Sequence, residues 1–170
     1  MGHHRPHREK GGLRPARPLI VPDRDAVEMD EMCVSRKRNL WLWTAVSRAT
    51  GQILAYVLGD RSYGHVDRLV AALPEPWRRR RIYTDGYGAY GDRIASWRHR
   101  VCDKGEGLTS RAEGVNTSLR HRCALLVRRH CGPRGPQIVS PRLGLSVRSH
   151  NDACEKRWQK RQFKTTPPGE

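Results

Sequence analysis

Two β-type apolar runs dominate the first third of the chain. Leu40-Trp41-Leu42-Trp43-Thr44-Ala45-Val46 and Gln52-Ile53-Leu54-Ala55-Tyr56-Val57-Leu58 are joined by Arg48-Ala49-Thr50-Gly51, which predicts a hairpin. Upstream, Val27-Glu28-Met29-Asp30 alternates apolar and polar as a half-buried strand does, with Asp30 near its end, before the basic turn Ser35-Arg36-Lys37-Arg38-Asn39. These segments predict a three-stranded antiparallel start, closed by Gly59-Asp60-Arg61-Ser62. Ser62 or Tyr63 then opens a helix through Leu73, with Val66, Leu69, Val70 and Leu73 on one face and Pro74 and Pro76 ending it. A short buried strand, Ile82-Tyr83-Thr84, carries Asp85 to its carboxyl end, and Gly86 lets the backbone turn away. Helix from Tyr87 to about Trp97, strand from His99 to Cys102, and a glycine-broken loop over 103–110 follow. A last helix, from about Arg111 to His130, carries Val115, Leu119, Leu125 and Leu126.

The ends read differently. Residues 1–25, with His3, His4, His7 and many arginines and prolines, read as a basic disordered leader rather than a metal-binding segment. After Cys131 the run Gly132-Pro133-Arg134-Gly135-Pro136 breaks any helix, and no period is sustained to Glu170. Residues 131–170 are expected to form a basic irregular tail, and 26–130 one folded domain.

Composition narrows the class. The chain has 170 residues, a one-domain length, and 33 lysines and arginines against 17 acids, a formal charge of +16 that calls for a polyanionic partner. Nucleic acid is the first candidate, because neutralising phosphates dominates such binding. Five cysteines without a C-x-x-C pair argue against a disulfide scaffold and a standard zinc module. No apolar run is long enough to span a bilayer and no secretory h-region follows the basic start, so a soluble cytoplasmic, nucleoid-associated protein is expected.

Three acids stand in punctuated settings: Asp30 in Glu28-Met29-Asp30-Glu31, Asp85 in Thr84-Asp85-Gly86, and Glu113 in Ala112-Glu113-Gly114-Val115-Asn116. Each has an ordinary explanation as well. Asp85 can be a turn-forming Asp-Gly, and Glu113 a first-turn glutamate favoured by the helix dipole. Asp30 can be a solvated acid, and the residues alone leave Glu28, Asp30 and Glu31 open as alternatives. Trp41, Trp43 and Tyr56 lie in strand patterns and are expected in the core.

The segments Glu28-Met29-Asp30-Glu31, Gly59-Asp60-Arg61-Ser62, Tyr83-Thr84-Asp85-Gly86-Tyr87 and Lys104 to Arg120 together resemble the catalytic region of insertion-sequence-one transposases, the InsB-type members of the DDE class, over roughly Val27 to Arg129. The resemblance implies an α/β, ribonuclease-H-like mixed sheet (three antiparallel strands, then alternating helix and strand), with the first strand central and the fourth beside it. It places the catalytic, metal-binding triad on Asp30, Asp85 and Glu113. Two Mg²⁺ (or Mn²⁺) ions would clamp a scissile phosphate between them. Lys104, Arg111, Asn116, Arg120, Arg122, Arg128 and Arg129 would contact DNA; a solvated helix surface is the bland reading of the arginines. A homo-oligomer on DNA and an upstream DNA-binding module encoded in a separate frame are implied partners.

This sequence departs from that pattern in three places. The stretch from Asp30 to Trp41 is short, with Cys33 where an aromatic is common. Gly114 replaces a bulkier polar residue after Glu113. Beyond Arg129 the expected helix gives way to the Gly-Pro run, as a frame change in a decaying element would produce. Metal-dependent strand cleavage and strand transfer is therefore the leading expectation. The alternatives are a catalytically inactive basic DNA-binding fragment and a ribonuclease-H-like nuclease that cuts branched DNA.

Overall fold

A computed structural model describes residues 19–102, 107, 109–123, 126 and 136–165, with 136–142 and 163–165 described as helix backbone only. Five strands, β1 (Val27–Ser35), β2 (Leu40–Ser47), β3 (Ile53–Gly59), β4 (Ile82–Thr84) and β5 (His99–Val101), form one mixed sheet in the order β3-β2-β1-β4-β5. The first three pair antiparallel, whereas β4 joins β1 and β5 joins β4 in parallel. The parallel connections run through α1 (Tyr63–Ala71), a 3₁₀ turn at Glu75–Trp77 and α2 (Gly88–Arg93). The helices α3 (Ser110–Arg122) and α4 (Pro136–Thr165) complete the order.

Alternation along β1 divides the molecule into layers. Val27 and Met29 enter one core with Trp43, Ala45, Val66, Leu69, Leu73, Trp77 and Tyr90, under α1 and α2. Met32 and Val34 enter the other with Leu42, Ile53, Ala112, Leu119, Leu143 and Val147, under α3 and α4. The sheet thus lies between two helical layers, as a central strand with apolar residues on both faces requires. Trp43 and Tyr56 are buried as expected, and Trp41 packs partly buried against the first core. At the end of β3 the His65 ring lies where any side chain at position 59 would stand, so only glycine fits there.

Several boundaries differ from the sequence reading. β1 extends to Ser35, because Met32, Cys33 and Ser35 continue the ladder with Leu42, Trp41 and Leu40, Val34 being skipped at a register shift, so Asp30 sits mid-strand rather than near the end. The left-handed Asn39 (φ 46°) makes the tight return to β2. α2 stops at Arg93 and α3 at Arg122, where Cys123 turns extended (φ −116°, ψ 96°) and its side chain is buried. Leu126 is buried as the pattern expected, while Leu125 and residues 127–130 lie outside the described residues.

Both expected tails also need correction. Asp25, assigned to the disordered leader, accepts hydrogen bonds from Ala49 N (2.9 Å), Ser47 Oγ (2.6 Å) and Trp77 Nε1 (2.8 Å), fixing the chain before β1. Residues 1–18 lie outside the described residues. The expected irregular tail is helical over Pro136–Thr165 and packs on β3 and α3. Asn151 holds the sheet edge: its Oδ1 accepts from Ile53 N (2.8 Å) and its Nδ2 donates to Ile53 O (2.9 Å), pairing the groups a further strand would have paired.

Candidate active site

The parallel pairing of β1 with β4 matches Val27 to Ile82 and Glu28 to Tyr83, an offset of 55 positions (82 − 27). Asp30 and Asp85 have the same offset (85 − 30), so the register, carried past the end of β4, brings the two acids to neighbouring positions beside that end. Their charges interact accordingly. The Asp30 carboxyl is pushed up to about 6 by burial, with the negative Glu31 and Asp85 adding to the rise and the Asn116 hydrogen bond opposing it. The turn after β4 is held by Asp85 itself, whose Oδ1 accepts from Tyr87 N at 3.1 Å. A side chain at Gly86 would meet open space, so the turn does not depend on glycine there, contrary to the sequence reading.

The three neighbouring acids of β1 have separate duties. Glu28 is buried; its Oε2 accepts from Ala112 N (3.0 Å) in the first turn of α3, and its Oε1 pairs with Arg48 (3.3 Å). Burial still pushes its carboxyl up, against those partners. Glu31 points to the opposite layer, pairing with Arg61 Nη2 (2.7 Å) and accepting from the Tyr90 hydroxyl (2.8 Å). Among the described residues Asp30 is held by neutral donors: Asn116 Nδ2 (2.8 Å) to Oδ2, and the Glu31 amide (2.9 Å) to Oδ1. Among the described residues Glu28 and Glu31 each pair with an arginine and Asp30 does not.

Arg61, Tyr90 and Thr44 belong to this neighbourhood and were missed, while Glu31 stood only as an alternative to Asp30. Arg61 lies between the rings of Trp41 (4.6 Å) and Tyr87 (4.0 Å) while it neutralises Glu31. The Tyr90 hydroxyl is raised well above its ordinary value, first by burial and then by the charges of Glu31, Asp30 and Asp85. Thr44 Oγ1 lies 3.1 Å from Asn116 Oδ1 and 3.2 Å from the Asp30 carbonyl, orienting the amide so that its NH₂ faces the carboxylate. Only Glu31 had a sequence signal, adjacency to Asp30; the other three come together through the topology.

Glu113 stands apart. It is exposed in the first turn of α3, where its Oε1 lies 3.4 Å from Thr109 Oγ1. Among the described residues no three His, Cys, Asp or Glu side chains lie close enough to share a metal ion. Asn116 and Arg120 follow Glu113 at helical spacing, on the flank of α3 that meets Asp30. Arg120 Nε is buried and finds no hydrogen-bond partner among the described residues. Arg111 and Arg122 are exposed on another flank, and Lys104, Arg128 and Arg129 lie outside the described residues.

The profile described as IS1 transposase matches residues 25–135. The chain belongs to the IS1 transposase family. A relative in Shigella dysenteriae, the insertion element iso-IS1n protein InsB, is 32% identical over 117 residues, covering 68% of this chain and 86% of that protein. The insertion element IS1 4 protein InsB of Escherichia coli strain K12 is 29% identical over 128 residues, 74% of this chain and 72% of that protein. Membership of the IS1 transposase family carries a transposase role and action on DNA, in accord with the charge of +16. All three acids fall inside the matched span, whereas α4 begins just after it. Among the described residues no helix is long and apolar enough to cross a membrane.

Proposed function

We propose that the chain is a DDE-type transposase with a ribonuclease-H-like catalytic domain, cleaving and joining DNA strands with Asp30, Asp85 and Glu113 as its acids. The observation that carries this is the shared offset of Asp30 on β1 and Asp85 just past the end of the parallel β4, with the pKa of the Asp30 carboxyl raised by burial and by its acidic neighbours. The order β3-β2-β1-β4-β5, with β2 antiparallel and helices on both faces, supports the fold assignment.

The donor set fits hard divalent cations. Burial foremost, with the charges of Glu31 and Asp85, raises the Asp30 carboxyl, a cost that a bound cation would relieve, and Mg²⁺ or Mn²⁺ prefers oxygen ligands. Asp30 and Asp85 would hold the ions, with Glu113 the third carboxylate at the exposed start of α3. When bound, the ions supply Lewis-acid activation of the attacking oxygen and stabilisation of the leaving one. Asn116 fixes the Asp30 carboxylate through Oδ2, and Arg120, with its unpaired Nε on the same flank, attracts the phosphate. The Glu31–Arg61 pair keeps a neighbouring acid neutralised, so that negative charge is concentrated on Asp30 and Asp85. An upstream module and a homo-oligomer on DNA belong to the same reading.

Nicking of insertion-element end DNA in Mg²⁺ or Mn²⁺ tests this. Wild-type nicking abolished by Asp30→Asn, Asp85→Asn and Glu113→Gln is the expected result. Glu113 is exposed and outside the observed acid cluster, which favours a second reading, an inactive DNA-binding fragment. A wild type that binds such DNA yet neither nicks it nor binds metal establishes that alternative.

A further inference from the structure

A concave cleft of about 270 Å³ opens between α3, α4 and the β2–β3 loop. Four arginines line it, Arg111 and Arg122 from α3 with Arg157 and Arg161 from α4, together with Ser118 and the half-buried Trp158. Among the described residues no carboxylate lines it. At helical periodicity Arg111, Ser118 and Arg122 share one flank of α3, and Glu113, Asn116 and Arg120 share the opposite one. The cleft is thus separated from the Asp30–Asp85 pair by the width of a helix.

Four exposed guanidinium groups around one small concavity present several forked donors to an anion that enters it. One of them is already oriented, since Arg157 Nη2 donates to the buried Cys154 Sγ at 3.0 Å. Burial lowers the pKa of the neighbouring His150, and the charges of Arg122 and Arg157 lower it further, so the positive field reaches the cleft floor. An indole in the wall supplies a flat apolar surface beside these phosphate-seeking forks. Guanidinium forks with an aromatic platform form the combination that holds single strands, phosphate on the cations and base on the ring. A duplex is convex and stiff and cannot enter such a concavity; a strand end or unpaired nucleotide can.

We propose that the cleft between α3 and α4 binds an unpaired nucleotide of a DNA strand, its phosphates on Arg111, Arg122, Arg157 and Arg161 and its base against Trp158. The choice of DNA as the polyanion rests on the proposed function, but the cleft does not use the acid pair.

The test is fluorescence anisotropy of the full chain without metal, using a labelled short oligodeoxythymidine and a blunt duplex, across a salt series. The wild type prefers the single strand. Trp158→Ala weakens that binding about tenfold and Trp158→Phe restores most of it. Arg161→Gln lowers the slope of log K against log salt by about 0.7. Unchanged single-strand affinity and salt slope in folded Trp158→Ala and Arg161→Gln overturns the proposal. Equal duplex affinity lost in the same variants also overturns it, as does competition by inorganic phosphate at the oligonucleotide's own concentration. If Trp158→Ala does not fold by circular dichroism, Arg161→Gln decides. Mn²⁺ calorimetry on the same proteins separates the two sites. Metal bound by a wild type whose cleft variants bind DNA normally refutes the cleft alone. A wild type that binds no metal but loses single-strand affinity with Trp158→Ala supports the cleft and refutes the metal site.

Discussion

Asn116 on α3 and Asp30 on β1 are joined by a 2.8 Å hydrogen bond from Nδ2 to Oδ2, and the same amide's Oδ1 lies 3.1 Å from the Thr44 hydroxyl. One buried side chain therefore satisfies two strands and fixes the orientation of the acid that faces the helix. Asn116→Ala removes the donor to Oδ2 of the half-buried Asp30 carboxylate, leaving the Glu31 amide on Oδ1, and should destabilise the fold by about 1–3 kcal/mol. Urea unfolding monitored by tryptophan fluorescence measures this, and a variant as stable as wild type would show that the amide is dispensable.

Asp30→Asn keeps the shape and an oxygen to accept from Asn116, but removes the charge. An acid whose folded pKa is raised from 3.8 to about 6 makes the folded state progressively less stable as pH rises from about 4 to about 6, with the full loss present above that. In EDTA at about pH 7.5 the variant should be the more stable by about 1–2 kcal/mol, with a flatter pH profile across that window. Thermal melts of both proteins at several pH values decide this, and lower stability of Asp30→Asn throughout would contradict the charge argument.

Asn151→Ala opens the Ile53 N–H and C=O at the edge of β3. Losing two backbone partners should cost about 1–3 kcal/mol. Faster amide exchange is expected at Ile53, with little change at β4 and β5, on the other side of the sheet. Hydrogen exchange with residue resolution reads both regions, and uniform loss of protection would point to global destabilisation instead.

His150 titrates in the opposite sense to Asp30. The Gly51 carbonyl can only accept, so the 2.9 Å contact places a proton on Nε2 of a buried ring. Burial foremost holds its pKa below the usual 6.5, so the unfolded chain takes up a proton first as pH falls below 6.5. Stability is fully present above that value and declines below it. His150→Gln, which can still donate to Gly51, should make the loss below about pH 6.5 smaller. An unchanged slope in melts of the two proteins assigns the acid sensitivity elsewhere.

The strands were legible because alternation and β-branched runs report burial directly, and the separation of Asp30 and Asp85 held the register of a parallel pair before any coordinates. α4 was not legible. Its buried positions, Leu143, Val147, His150, Asn151 and Cys154, keep helical spacing, but three of them are polar or weakly apolar residues, so the stripe does not read as hydrophobic. His150 and Asn151 are buried because they bond to backbone in the β2–β3 loop and on β3, partners no local window contains. The pairing of Glu31 was hidden for a similar reason: its partners Arg61 and Tyr90 lie 30 and 59 residues away in the chain.

The clamp of Asn151 on Ile53 spans 98 residues of sequence. During synthesis, β3 leaves the ribosome long before the side chain that seals its outer edge. Until then the nascent sheet has an open rim beside an apolar face that awaits Leu143 and Val147. Maturation of this protein is therefore timed by its last helix, and a transcript cut before α4 would yield a sticky, self-associating product rather than a smaller working one.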